Sequence, residues 1–374
     1  MSAIVLRQLS KRFAGTQAGL VDVSLSINAG EHFVIAGPSG AGKTTLLRLI
    51  AGLERPELGS ISFDERDVTA VAPRLRNVSL VSQRPTVYPH LTVRRNLSAS
   101  IDLRQAASMF ALRRRTDEQQ SVTPRERARR VEEAGAILGL TPLLDRRADQ
   151  LSGGEQQRVA LGRAWVARTP LWLLDEPFAH LDFPQRAQLR AELHLLRERF
   201  RTTMIEVTHD PADALALGRR VAVLRDGRLE QVGLAAELYA RPASRTVALA
   251  LGSPAINLAD GVVLGADGHP AMQFGHGVTV PLPPAIGESV GSGAVVSLGI
   301  RPENLMPADD GAGARLGEWN IVRCVATGPG WLATLEQGGR VWQAWLREAP
   351  QAQRIPLSVR LEHLLVFAAD GRRL

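Results

Sequence analysis

The sequence predicts an α/β fold in which helices cover both faces of a mostly parallel sheet, followed by a small all-β domain. First, the apolar segment EHFVIAG runs into a glycine-rich turn and the periodic helix KTTLLRLIAGL, as in a phosphate-binding α/β unit. Second, apolar strands and amphipathic helices alternate as far as about residue 240. Third, past about Gly252 helical periodicity fades and short valine-rich strands recur, which is typical of a β-barrel or sandwich.

Composition limits the classes of protein to which this chain can belong. Its 374 residues suffice for a large α/β core and a smaller unit, and its single cysteine, Cys324, excludes an intramolecular disulfide. Neither a signal peptide nor an apolar run of about 18 residues, long enough to span a membrane, is recognisable. The net charge of +7 would suit nucleic acid, but the arginines are dispersed and mixed with acids. We expect a cytoplasmic protein that reaches a membrane only through partners.

The predicted elements divide the chain into two domains. Residues 1–240 are expected to form the α/β domain, with a mainly helical subdomain at about 85–168. Residues 241–252 are expected to connect it to a β domain at 253–374. These limits follow from where helical spacing ends and glycine and proline become frequent.

The strongest motif is a phosphate loop of the G-x-x-x-x-G-K-[ST] type. It comprises Gly37, Pro38, Ser39, Gly40, Ala41, Gly42, Lys43 and Thr44, with Thr45 next in the helix. Its glycines let successive backbone N–H groups face phosphate oxygens, and the helix dipole adds positive potential. Lys43 would contact the β- and γ-phosphates, and the Thr44 hydroxyl would ligate Mg²⁺. Lys43 and Lys11 are the only lysines among many arginines, which indicates that this site needs a compact ammonium group.

Two acids end a later apolar strand, LWLLDEP. Asp175 is expected at the carboxyl edge of the sheet, where it can hold magnesium or a water bound to it. Glu176 would then lie beside the γ-phosphate and polarise the attacking water. Many strands end in acids, so this motif alone is weak evidence for a metal site and becomes strong only together with the phosphate loop. Together they predict ATP hydrolysis with Mg²⁺.

A second glycine-rich helix start lies about twenty residues before Asp175. It consists of Leu151, Ser152, Gly153, Gly154 and Glu155. Such a helix start suits a second phosphate contact. The segment resembles LSGGQ, the signature of ABC ATPases, with Glu155 where glutamine is usual. In that family the two glycine loops around one ATP come from opposite subunits, so the resemblance implies a homodimer or a pair of related subunits.

The resemblance to ABC ATPases extends to single positions elsewhere in the chain. Phe13 matches the aromatic residue that stacks on adenine, which is usually tyrosine. Gln83 matches the glutamine that contacts magnesium and water, and His209 matches the switch histidine that contacts the γ-phosphate. These matches assign catalytic roles to Gln83, Glu176 and His209.

The loop after the catalytic acid both matches the family and departs from it. Leu181 and Asp182 match the family's loop that touches the opposite subunit. The family commonly has Ser-Asn or Ser-Ala before that pair, whereas this chain has Ala179 and His180. This departure leaves the contacts across the dimer open.

Other segments resemble importers of the sugar-uptake class. The stretch from Tyr88 to Val93 is similar to the segment after the glutamine loop in those importers. Residues 252–257 and 298–303 look like marks of their C-terminal oligomer-binding-type β domain. The resemblance is nearest to the subunits that serve glycerol-3-phosphate, maltose and other sugars. Subunits for polyamines such as spermidine, for iron or for sulfate share the architecture and stay open as alternatives.

The resemblance implies a P-loop ATPase of ABC type, with a mixed sheet and a helical subdomain. Its expected partners are a second ATPase subunit, two transmembrane permease subunits and, indirectly, an extracytoplasmic solute-binding protein, at the cytoplasmic face of the membrane. A non-transport ABC ATPase acting on nucleic acid or the ribosome is a different possibility, but such chains typically carry two ATPase units or long coiled-coil inserts. A degenerate module that only binds a partner is disfavoured by the intact Lys43, Asp175, Glu176 and His209.

Overall fold

The computed structural model describes residues 2–13, 19–111, 122–179, 183–200, 202–217, 219–265, 270–275, 277–308, 313–328 and 330–374. The chain divides into two compact units, Met1–Ala235 and Ala236–Leu374. In the part described, no helix combines the length and the apolar character needed to cross a membrane.

The first unit contains both strands and helices. In chain order these are β1 (Ile4–Lys11), β2 (Leu20–Ile27), β3 (His32–Ala36), α1 (Lys43–Ala51), β4 (Leu58–Phe63), β5 (Arg66–Asp67), β6 (Val78–Val81), α2 (Val93–Ala111), α3 (Pro124–Ile137), α4 (Gly153–Ala167), β7 (Leu171–Asp175), α5 (Phe183–Phe200), β8 (Thr203–Val207), α6 (Pro211–Leu217), β9 (Arg220–Arg225) and β10 (Arg228–Leu234).

These strands form two sheets. The larger has the order β10-β9-β3-β8-β7-β6, in which every neighbouring pair is parallel except β10 with β9. The smaller is antiparallel, with the order β2-β1-β4-β5. The predicted α/β fold with a mostly parallel sheet is therefore confirmed.

Strand β7 shows how the large sheet separates two cores. Successive side chains of a strand point to opposite faces. Leu171 and Leu173 accordingly pack into a core shared with α1, whereas Trp172 and Leu174 pack into a core shared with α2, α3 and α4. Both faces are covered, and all five residues of β7 are buried. This packing fixes the end of β7 and therefore the position of Asp175.

The second unit is mainly antiparallel β structure. It contains all but the first residue of α7 (Ala235–Ala240), followed by α8 (Arg245–Ala250), β11 (Asn257–Leu264), β12 (Ala271–Phe274), β13 (Val278–Pro281), α9 (Pro284–Ser289), β14 (Val295–Ile300), β15 (Met306–Pro307), β16 (Ala314–Ala326), β17 (Trp331–Gln337), β18 (Arg340–Leu346), β19 (Arg354–Val359) and β20 (Leu365–Ala368). Two five-stranded sheets, β13-β12-β11-β14-β20 and β15-β19-β16-β17-β18, share one core, in which the rings of Trp319 and Trp342 stack with centroids 4.6 Å apart. The predicted small β domain is confirmed.

Candidate nucleotide site

The phosphate loop connects β3 to α1. Gly37 has φ +145°, and a Cβ at this position would lie 2.1 Å from the carbonyl oxygen of Leu224, so no larger residue fits. The N-cap of α1 is Gly42, whose lack of a side chain leaves the first N–H groups of the helix without a side-chain cap. Unsatisfied N–H groups at a helix start form a ready binding site for an anion. The loop is therefore built to receive a phosphate.

Lys43 folds back over this loop and is buried. Its Nζ donates hydrogen bonds of 2.8 Å to the carbonyl oxygens of Gly37 and Pro38. Burial lowers the pKa of the Lys43 ammonium, while the nearby carboxylates of Glu176 and Asp175 oppose that shift. The positive charge is thus held between the loop and the two acids that the sequence singles out.

Thr44 and Asp175 face each other across the start of α1. The Thr44 hydroxyl donates to Oδ1 of Asp175 at 3.1 Å. Burial raises the pKa of Asp175, and the hydrogen bond from Thr44 partly counters that effect. These two residues and Gln83 line one pocket of about 260 Å³. The structure thus brings together all three residues predicted to contact the metal.

The donor set of this pocket fits Mg²⁺. Hydroxyl, carboxylate and amide oxygens are the hard ligands that Mg²⁺ prefers, and the ion usually keeps waters or substrate phosphates as its other ligands. Among the described residues, no group of three or more His, Cys, Asp and Glu side chains could hold a metal ion. The Thr44 and Gln83 oxygens, and ligands from outside the chain, would therefore be needed beside Asp175.

Glu176 is held by two side chains from distant segments. Nε2 of Gln83 donates to its Oε2 at 2.8 Å, and Nδ1 of His209 lies 2.8 Å from its Oε1. The backbone N–H of Glu176 donates to the carbonyl of Val207 at 2.9 Å, and its φ is +49°. Such a backbone angle is strained for a non-glycine residue and persists only where the surroundings hold it. The three predicted catalytic residues therefore meet at one point.

The signature segment begins α4 and caps itself. Ser152 is the N-cap, its side chain accepts from the backbone N–H of Glu155 at 3.3 Å, and its own N–H donates to Oε2 of Glu155 at 2.7 Å. The backbone N–H and the hydroxyl of Ser152 both donate to this carboxylate, and these bonds lower the pKa of the Glu155 carboxyl. Neither pocket described around Asp175 and Glu176 is lined by residues 152–155.

Of three other predicted site residues, the structure describes Phe13 but not Leu181 and Asp182. Phe13 is partly buried, with Nζ of Lys11 5.4 Å from the centroid of its ring. Leu181 and Asp182 lie outside the described residues, as does His180. The predicted dimer loop therefore stays a prediction from sequence.

A pocket on one side of Glu176 and His209 is lined by charged residues that the sequence analysis did not single out. They include Arg186, Asp210 and Asp213. The available signals were two arginines spaced four apart in an amphipathic helix and an aspartate directly after His209. Nothing in those signals says which acid pairs with which arginine.

Comparison with family models gives two matches in separate parts of the chain. The model described as ABC transporter matches residues 20–179, and the model described as MalK OB fold domain matches residues 252–305.

Two curated relatives cover most of the chain, and each is named sn-glycerol-3-phosphate import ATP-binding protein UgpC. The protein from Ruegeria pomeroyi is 41% identical over 311 residues, which is 83% of this chain and 81% of the relative. The protein from Chromobacterium violaceum is 36% identical over 383 residues, which is 100% of this chain and 96% of the relative.

A solved structure resembles the ATP-binding part. It is a dimeric ATP-binding cassette in a post-hydrolysis state bound to ADP and Pi, and it matches with a TM-score of 0.54 and 28% identity. The match covers 62% of this chain and 98% of that chain.

Proposed function

The chain belongs to the ABC transporter family of import ATP-binding subunits, and we propose that it drives uptake of a sugar or of sn-glycerol-3-phosphate. The family fixes the reaction as ATP hydrolysis. The name shared by the relatives supports glycerol-3-phosphate as the first solute to test. Polyamine, iron or sulfate uptake is the alternative, because subunits for those solutes share the same architecture.

The observation that carries the mechanism is the position of the Glu176 carboxylate. It is held at 2.8 Å by Gln83 on one oxygen and by His209 on the other. We propose that this carboxylate accepts the proton of the attacking water, which general-base catalysis requires to be within hydrogen-bond reach. Gln83 then orients the carboxylate, and His209 contacts the γ-phosphate.

The phosphate loop, residues 37–45, is proposed to hold the triphosphate of ATP. The uncapped N–H groups of α1 and the buried ammonium of Lys43 would bind its oxygens. Thr44, Gln83 and Asp175 would hold Mg²⁺, which supplies neutralisation of the phosphate charge when bound. Phe13 would stack on adenine.

The remaining assignments concern the assembly. Ser152, Gly153, Gly154 and Glu155 would complete the ATP site of a second ATPase subunit, with Leu181 and Asp182 at the same interface. Two permease subunits would dock on the helical subdomain, so the protein would lie peripherally at the cytoplasmic face of the membrane. An extracytoplasmic solute-binding protein would deliver the solute to the permeases. We propose 1–240 as the ATPase domain and 253–374 as a regulatory domain, joined by 241–252.

The proposed solute is tested by uptake in cells that lack this protein. The gene for the wild-type chain or for Glu176→Gln is returned, and uptake of labelled glycerol-3-phosphate, maltose, spermidine, iron and sulfate is measured. We expect the wild type alone to restore uptake of glycerol-3-phosphate or a sugar. Restoration of spermidine, iron or sulfate uptake would show that the proposed solute is wrong. Uptake with Glu176→Gln equal to that with the wild-type chain would show that Glu176 does not have the proposed role.

A further inference from the structure

Helix α5 carries two arginines that reach the segment around His209. Arg186 and Arg190 are four residues apart, so they lie on the same face of the helix. Nη1 of Arg186 pairs with Oδ2 of Asp210, and Nη2 of Arg190 pairs with Oδ1 of Asp213. Each arginine thus binds a different acid, and both acids follow His209 closely in the chain.

The two acids fix the backbone on either side of His209. Oδ1 of Asp210 accepts from the N–H of Ala212 at 2.8 Å at the start of α6, and the N–H of Asp210 donates to Oγ1 of Thr208 at 2.9 Å. The Thr208 hydroxyl in turn donates to Oδ2 of Asp213 at 3.4 Å. Thr208 and Asp213 are buried, so the hydrogen bond between their side chains is shielded from water. His209 lies between residues that are held on both sides.

Helix α5 also contacts the segment that follows Glu176. The guanidinium of Arg190 lies 5.7 Å from the centroid of the Phe178 ring, in the range of a cation–π contact. Phe178 is buried and lies two residues after Glu176. Arg190 therefore touches the segments of both catalytic side chains at once.

A pocket of about 50 Å³ lies among these groups. Its walls include Glu176, Phe178, Arg186, His209, Asp210 and Asp213. A space of this size holds at least one water molecule. Shortening Arg186 would enlarge this pocket beside the Glu176–His209 hydrogen bond, which would let both side chains shift.

We propose that Arg186 and Arg190 are positioning residues that hold the His209 segment at hydrogen-bond distance from Glu176. This inference rests on the proposed roles of Glu176 and His209. It adds that α5, which touches neither ATP nor metal in that proposal, sets the rate of hydrolysis through two ion pairs.

Arg186 is the better residue to test, because its partner Asp210 is less buried than Asp213 and its loss costs less stability. In the purified full-length chain, Arg186→Gln should lower kcat about tenfold or more, since small losses of alignment are costly, while KM for ATP changes less than about twofold. Arg186→Lys should recover part of kcat because it keeps the charge. Gln188→Ala, on the same helix with its side chain bonded to Glu192, is the control and should leave kcat unchanged.

Asp210→Asn supplies a second variant in case Arg186→Gln fails to fold. Asparagine caps a helix as well as aspartate does, so α6 keeps its start and loses only the charge pair. The same loss of kcat with little change in KM is expected. Wild-type kcat in folded Asp210→Asn or Arg186→Gln would overturn the proposal.

A double-mutant cycle with His209→Ala distinguishes positioning from a general structural role. If Arg186 acts through His209, then Arg186→Gln should lower single-turnover hydrolysis by less than about twofold once His209 is absent. If Arg186→Gln lowers the rate by the same factor with and without His209, the two losses are independent. That result would overturn the inference while leaving the roles of Glu176 and His209 intact. If the His209→Ala variant hydrolyses ATP at the wild-type rate, the role of His209 in the proposed function would instead be contradicted.

Discussion

Two helices of the first unit begin at glycine-rich segments, and their beginnings are built in opposite ways. At α1 the N-cap Gly42 offers no side-chain acceptor, and the buried Lys43 adds a positive charge beside the unsatisfied N–H groups. At α4 the N-cap Ser152 and Glu155 satisfy each other's backbone N–H groups. The start of α1 has N–H donors available for an anion, whereas the start of α4 has the N–H donors of Ser152 and Glu155 paired with its own residues.

A helix start needs N–H donors without a partner, and not only a dipole, in order to bind phosphate. Both helices have the same dipole, so the dipole alone does not separate them. At α1 the N-cap has no side-chain acceptor, and the first N–H groups of the helix are therefore left for a ligand. At the signature, the Glu155 carboxylate occupies donors of Ser152, so an incoming phosphate would have to displace it.

Removing the charge at the first start should have the largest effect. Lys43→Met keeps most of the side-chain volume but removes the donor to phosphate. We expect turnover to fall by about 10²–10³-fold, the range seen when one preorganised donor to a transition state is lost. The measurement is steady-state ATP hydrolysis, with the exposed Arg55→Met as a control for loss of a positive charge. A loss below about threefold would contradict the role assigned to Lys43.

The shape of the phosphate loop gives the next largest effect. Gly37→Ala places a methyl group against the Leu224 carbonyl, which should cost about 2 kcal/mol or more of folding free energy. Gly40→Ala is the matched control: its φ is +80° but nothing lies within 4 Å of the added Cβ, so about 1 kcal/mol is expected. Urea unfolding measures both. Equal losses would mean that the close approach of Leu224 is not what requires glycine.

At the second start, removal of the cap should affect stability and turnover together. Ser152→Ala should cost about 1 kcal/mol of folding free energy, as loss of an N-cap usually does. Thr123→Ala is the matched control, because Thr123 caps α3 by accepting from the N–H of Glu126 at 3.2 Å. We expect similar losses of stability but a fall in ATPase turnover of about tenfold only for Ser152→Ala. Equal turnover in the two variants would remove Ser152 from the ATP site.

The positions of both helix starts could be predicted from the sequence because each is a contiguous segment, whereas the capping of α4 by its own residues was not predicted. Residue type and spacing indicate the phosphate loop, the resemblance to LSGGQ indicates the signature, and the strand that precedes Asp175 predicts its position. The alternation of strands and helices likewise predicted the sheet that positions both. Residues that act together within one contiguous segment can be identified from the sequence without knowledge of the fold.

Contacts between distant segments left no such pattern. His32 and Glu206 are 174 residues apart, yet their side chains pair at 2.9 Å between β3 and β8. The pairs of Arg186 and Arg190 with acids after β8 also depend on how α5 packs on the sheet. A single sequence shows that charges are present, but the partners are set only by the three-dimensional fold.

The smallest predicted effect concerns the Glu155 carboxylate and pH. Hydrogen bonds from Ser152 lower the pKa of Glu155 from its ordinary value of 4.5, so the folded chain holds the ionised form more strongly than the unfolded chain does. This contribution to stability is present above pH 4.5 and is lost as pH falls through the lowered folded pKa. Glu155→Gln keeps the cap but cannot titrate. The stability difference between wild type and Glu155→Gln should therefore shrink as pH falls from about 6 to about 3.

Urea unfolding at several pH values measures that difference, and ATPase assays at neutral pH add an independent reading. If Glu155 competes with phosphate for Ser152, the neutral glutamine should lower the ATP concentration needed for half-maximal turnover, because it withholds the same donors without negative charge. A stability difference that stays constant with pH would mean that the carboxylate is not anchored by Ser152. An unchanged half-maximal ATP concentration would mean that the cap formed by Glu155 does not weaken ATP binding at the signature. The two helix starts would then differ in stability alone.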